Sequence, residues 1–99
     1  MTTNTMFGKP KHKYLRDIIS IRTPESATGS VRELNREFNQ AKTKAKKLRI
    51  ARATLLASNR AKAMLSKRLS PRERGEMLMV SAIYKKAAER MFDVYGRMK

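Results

Sequence analysis

The chain has 99 residues, with 24 Lys and Arg against 8 Asp and Glu, a formal charge of +16 and no Cys. That length sets one domain as the expectation, and a compact state carrying this charge repels itself unless it meets a polyanion. Without Cys there are no disulfides and no thiolate metal sites, and no stretch approaches the roughly 20 apolar residues of a membrane span.

Residues 1–13 are polar and basic, with Gly8 and Pro10 as breakers, and read as a flexible, disordered basic arm. They lack an apolar run of signal-peptide length. The expected setting is therefore cytoplasmic, associated with a nucleoid or ribosome, or inside a virus particle. Residues 14–99 read as a single helical domain. Tyr14 to Arg22 is apolar enough to pack, either as a short helix or as an extended segment laid over the helices. The helix is the preferred reading.

Thr23-Pro24-Glu25 is a helix start: Thr23 can accept backbone N–H groups as N-cap, and Pro24 suits the first helical position. Gly29 weakens the first turns and makes Ser30 an alternative start. Apolar residues then recur at Ala27, Val31, Leu34, Phe38, Ala41, Ala45 and Leu48, alternating steps of four and three, which is a helical stripe. A second stripe, Ile50, Ala53, Ala57, Ala61 and Met64, has the same period. It lies about a third of a turn or more around the wheel, at about 100° per residue. Either the helix breaks near Thr43, giving helices at 24–43 and 45–68, or one long or kinked helix (24–68) meets different partners along its length. No Pro or Gly lies between Ser30 and Leu69, which favours the long or kinked helix.

Ser70-Pro71-Arg72-Glu73 is the clearest local signal. Ser70 caps, Pro71 takes the first position, and Glu73 completes a capping box. The helix is expected over 71–95, with Met77, Val80, Tyr84, Ala87, Ala88, Met91 and Tyr95 inward and Gly96 at its C-terminal cap. The short link at Leu69-Ser70 makes the two flanking helices antiparallel. The fold class is all-α.

The charge is uneven. Residues 23–43 are neutral, whereas 44–69 hold nine basic and no acidic side chains, and no acid occurs from Phe38 through Arg72. A solvated helix face ordinarily mixes signs, because Glu–Lys pairs stabilise it. A run of one sign is relieved by a phosphate backbone, which also releases counterions. The candidate nucleic-acid-binding residues are Lys44, Lys46, Lys47, Arg49, Arg52, Arg60, Lys62, Lys67 and Arg68. Lys44, Arg52 and Lys62 are expected to point most directly away from the alanine stripe, with Arg49, Arg60 and Lys67 on its flank.

Other chemistry is thin. His12 stands alone in the basic arm. Glu33 and Glu37 could share a face but lack the further oxygens of a Mg²⁺ or Ca²⁺ site. No P-loop, GxGxxG or nucleophile with a paired base occurs. No metal, cofactor or enzymatic activity is expected. Asn59 beside Ser58 and Arg60 reads as polar surface, although Asn and Arg can read bases in a major groove. Nothing matches a helix-turn-helix with its short Gly-containing turn. The basic stretch has no interleaved aromatics, which argues against a base-stacking single-strand binder. Its alanine-rich apolar side partitions weakly into an anionic membrane.

Several segments, Phe38-Asn-Gln-Ala-Lys-Thr, Leu48-Arg-Ile-Ala-Arg-Ala, Ala57-Ser-Asn-Arg-Ala-Lys-Ala-Met, Leu69-Ser-Pro-Arg-Glu-Arg and Ile83-Tyr-Lys-Lys-Ala-Ala-Glu, carry a resemblance. The stretch from Ile21 to Met91 resembles an uncharacterised family of small basic helical proteins seen mainly in archaea, their viruses and related mobile elements. That resemblance implies no particular activity. The expectation is non-enzymatic, largely sequence-independent binding of duplex DNA or structured RNA through phosphate contacts, in genome packaging, mobile-element regulation or at the ribosome. The alternative is a helical interaction protein that binds an acidic partner or self-assembles. Leu48 and Leu55, seven residues apart and off the second stripe, are the candidate self-association residues of a homodimer.

Overall fold

The computed structural model describes residues 18–97; the expected arm at 1–13, and 14–17 of the segment that follows it, lie outside them. Among the described residues there are three α-helices and no strand. Helix α1 (Pro24–Gln40) starts where the local chemistry requires. Thr23 Oγ1 accepts the Ser26 N–H and Ser26 Oγ accepts the Thr23 N–H, both at 3.1 Å. This reciprocal pair satisfies two otherwise orphaned donors, so the helix begins at Pro24 and Gly29 does not delay it to Ser30.

The chain then breaks, and the continuous or kinked helix expected over 24–68 is two helices. Ala41 is extended, with ψ 132°. Thr43 caps helix α2 (Lys44–Ala63) by accepting the Lys46 N–H at 3.1 Å. The break has a packing cause: the two stripes point in different directions on one straight helix, and a reversal lets both face one core. A single 3₁₀ turn, Met64–Ser66, tightens the end of α2. Helix α3 (Pro71–Arg97) begins at the expected capping box. Ser70 Oγ accepts the Glu73 N–H at 3.1 Å, and Glu73 Oε1 accepts the Ser70 N–H at 2.9 Å. Gly96 is helical rather than a cap.

Helices α2 and α3 form the antiparallel hairpin, and α1 packs across both. The core holds Leu34 and Phe38 from α1, Ile50 from α2, and Val80, Tyr84 and Met91 from α3. The hairpin seam is made of small residues. The buried side of α2 is Ile50, Ala51, Thr54, Ala57, Ser58 and Ala61, and Ala45 of the first stripe is exposed. Ser58, expected on the polar surface, is 2% exposed. Its hydroxyl donates to the Ser81 carbonyl at 3.0 Å, and that bond offsets the cost of burying it. Thr54 meets the same need by donating to the Ile50 carbonyl one turn back at 2.8 Å.

Of the segment expected over 14–22, Ile18 is helical and residues 19–22 are not, so the extended reading holds over 19–22 only. Ile18, Ile19 and Ile21 pack against the core. Tyr84 Oη donates to the Ser20 carbonyl at 2.7 Å and accepts the Ser20 N–H at 3.0 Å. Ser30 Oγ donates to the Ile18 carbonyl. A fully buried tyrosine thus ties this segment to α3 by satisfying both polar groups of one peptide residue.

Candidate nucleic-acid interface

All nine candidate basic residues lie on α2 or in the link that follows it, yet they are not equivalent. Lys47 is half-buried. Its Nζ donates to the Phe38 carbonyl at 2.6 Å and lies 4.7 Å from the centroid of the Phe38 ring. The last turn of α1 has no basic residue of its own, so Lys47 reaches back from the next helix to place a cation at its negative end. This is a role in the fold, which sets Lys47 apart from the other candidate cations. Lys44 lies 5.6 Å from the Tyr95 ring centroid, where the start of α2 meets the end of α3.

Lys46, Arg49, Arg52, Arg60, Lys62, Lys67 and Arg68 are all exposed. At about 100° per residue, Arg52 points almost directly away from the buried side of α2, with Arg49 and Arg60 on one side of it. Lys62 and Lys44 lie on the opposite flank, so the outward expectation holds for Arg52 alone. Lys67 and Arg68 sit at the hairpin tip. There Arg74, which sequence reasoning did not single out, donates to the Leu65 carbonyl at 3.1 Å and adds another cation. The signal for it was its position four residues after the capping Ser70, on the turn of α3 nearest the tip.

The ion pairs sort by helix. Arg36 pairs with Glu33 on α1, and Arg72 with Glu76 and Arg97 with Asp93 on α3. Lys46, Arg52, Arg60, Lys62, Lys67 and Arg68 have no carboxylate partner among the described residues. Elsewhere, a shallow cleft between α1 and α3 is lined by Asn35, Phe38, Asn39, Arg90, Met91 and Val94; it contains no carboxylate. Among the described residues no three His, Asp or Glu side chains come together as a metal site, and no helix is long and apolar enough to cross a membrane.

No family model, curated protein or solved structure matches this chain. The functional reading rests on the geometry alone.

Proposed function

We propose that the protein binds nucleic acid without catalysing a reaction, holding phosphate backbones with the exposed cations of α2 and the hairpin tip. One observation carries this reading: six exposed Lys and Arg side chains on one helix and its link have no acidic partner among the described residues, while the ion pairs present lie on α1 and α3. Unpaired cations held at fixed spacing on a rigid helix release condensed counterions when they meet phosphates, and that release drives binding. Contacts of this kind carry no sequence information. Genome packaging, mobile-element regulation and ribosome association are the settings that use them.

The test is the salt dependence of binding. Neutralising about six phosphates gives a log–log slope near −5 on duplex DNA. Fluorescence anisotropy at several salt concentrations reads that slope directly. Absence of binding to both DNA and RNA at low salt overturns the proposal.

A second reading, self-association, draws on the apolar surface. Leu55 is 38% exposed and follows Leu48 by one heptad on the same side of α2. Lys62 follows Leu55 by a further heptad on that side, so the homodimer this implies competes with that cation's phosphate contact.

A further inference from the structure

The outward side of α2 is not uniformly basic. Between Arg52 and Arg60 the sequence is Ala-Thr-Leu-Leu-Ala-Ser-Asn, with no charge. Arg52, Leu56 and Arg60 follow one another at i, i+4 and i+8 and so form one row along the helix. Leu56 lies at the centre of that row and is 51% exposed, among the most exposed large apolar residues of the molecule. Asn59, one turn beyond Leu56, is exposed beside it. A helix resting on a phosphate ridge gains nothing from a leucine placed between its arginines.

Resting on the nucleic-acid reading above, we infer that α2 enters the major groove of B-form DNA, with Arg52 and Arg60 on the two phosphate walls and Leu56 and Asn59 against the base edges. Arg52 and Arg60 lie about 40° to either side of Leu56 around the helix, at about 100° per residue, so a helix lying along the groove, which is about 12 Å wide, turns them toward opposite phosphate walls. The helix with its side chains, roughly 10–12 Å across, fits that groove. The other two helices lie behind α2, so its outward side is unobstructed. The three-residue connection 41–43 has the length that joins the two helices of a helix-turn-helix, although it contains no glycine.

The base-edge chemistry is specific. Thymine presents a C5-methyl group in the major groove and its paired adenine presents N7 and N6–H₂. Leu56 meets the methyl group, and the Asn59 amide can donate to N7 and accept from N6. The occupant is therefore duplex DNA with A·T pairs under the middle of α2. A-form RNA is unsuitable, because its major groove is deep and narrow and its uracil lacks the methyl group.

The experiment measures anisotropy of the full chain, at one salt concentration, on three 20-base-pair A·T-rich duplexes of the same sequence: DNA, DNA with uracil in place of thymine, and RNA. Wild type is expected to prefer DNA over RNA by at least tenfold. Removing a methyl group that Leu56 covers weakens binding about fourfold, the value of one buried carbon. Leu56→Ala, at an exposed position that leaves the fold intact by circular dichroism, binds the thymine and uracil duplexes equally. Equal affinity for DNA and RNA, or a wild type indifferent to uracil, overturns the groove assignment while leaving phosphate binding in place. A uracil penalty that survives Leu56→Ala removes Leu56 from the base contacts and overturns it likewise. No binding to any duplex overturns the nucleic-acid proposal itself.

Discussion

Lys47 and Arg52 are five residues apart on one helix and have opposite duties. Lys47 is folded back over Phe38, bonded to its carbonyl and stacked on its ring. Arg52 is exposed without a carboxylate partner among the described residues. Substitutions therefore separate stability from binding. Lys47→Met is expected to lower unfolding free energy by about 1 kcal/mol, through the lost bond to a helix C-terminus, and to leave the salt slope on DNA unchanged. Arg52→Ala combined with Lys62→Ala is expected to leave urea denaturation nearly unchanged and to flatten the slope by about two units, weakening all sequences alike. A Lys47→Met protein of normal stability but flattened slope would return that lysine to the interface. Tyr84→Phe tests a third kind of residue. It strands both polar groups of Ser20 beneath the extended segment, with a cost of about 1–3 kcal/mol readable by denaturation and by faster amide exchange at Ser20.

The helix boundaries show which features of a sequence speak for themselves. The start of α3 was legible because Ser70 and Glu73 satisfy each other's backbone within four residues, and such local reciprocity needs no knowledge of the rest of the fold. The break at 41–43 was legible only in part. The offset between the Phe38 and Ile50 stripes marked it, but Thr43 lacks the Glu or Gln three residues on that would complete its box, and Lys46 occupies that place. Ser58 read as polar surface because hydroxyls usually seek water, and Thr54 is buried with it. Their burial depends on a partner helix coming close enough to accept from Ser58 and on a carbonyl one turn back accepting from Thr54. The basic interface was legible as a stretch without acids, yet Lys47's role depends on the chain reversal that brings it onto Phe38. Thr43 supplies the cap that fixes this reversal. Thr43→Ala is expected to cost about 1 kcal/mol in thermal or chemical denaturation, and an unchanged midpoint would mean that packing alone holds the break.

At the scale of the whole molecule, charge and apolar surface oppose each other. A chain of under 100 residues buries a modest share of its surface, and here part of the seam between α2 and α3 is alanine and serine. Leu55, Leu78 and Met79 are left 38%, 54% and 57% exposed. Covering them with a second copy would bury apolar area, but it brings together two chains each carrying +16. Added salt shortens the reach of that repulsion, to a Debye length of about 3 Å at 1 M, and a bound polyanion neutralises it outright. Self-association is therefore expected to strengthen as salt rises, the reverse of nucleic-acid binding, whose affinity falls. Arg52 and Asn59 are the i−3 and i+4 neighbours of Leu55 on α2, so a partner on the Leu55 side competes with DNA for part of the same face. Sedimentation equilibrium at low and high salt tests this. Leu55→Glu is the informative variant, because Leu48 is half-buried within its own chain and a charge there would damage the fold as well. Wild type should be dimeric in high salt, and Leu55→Glu monomeric with an unchanged thermal midpoint. A wild type that stays monomeric at every salt concentration would leave Leu48 and Leu55 as residues of the single chain's own surface.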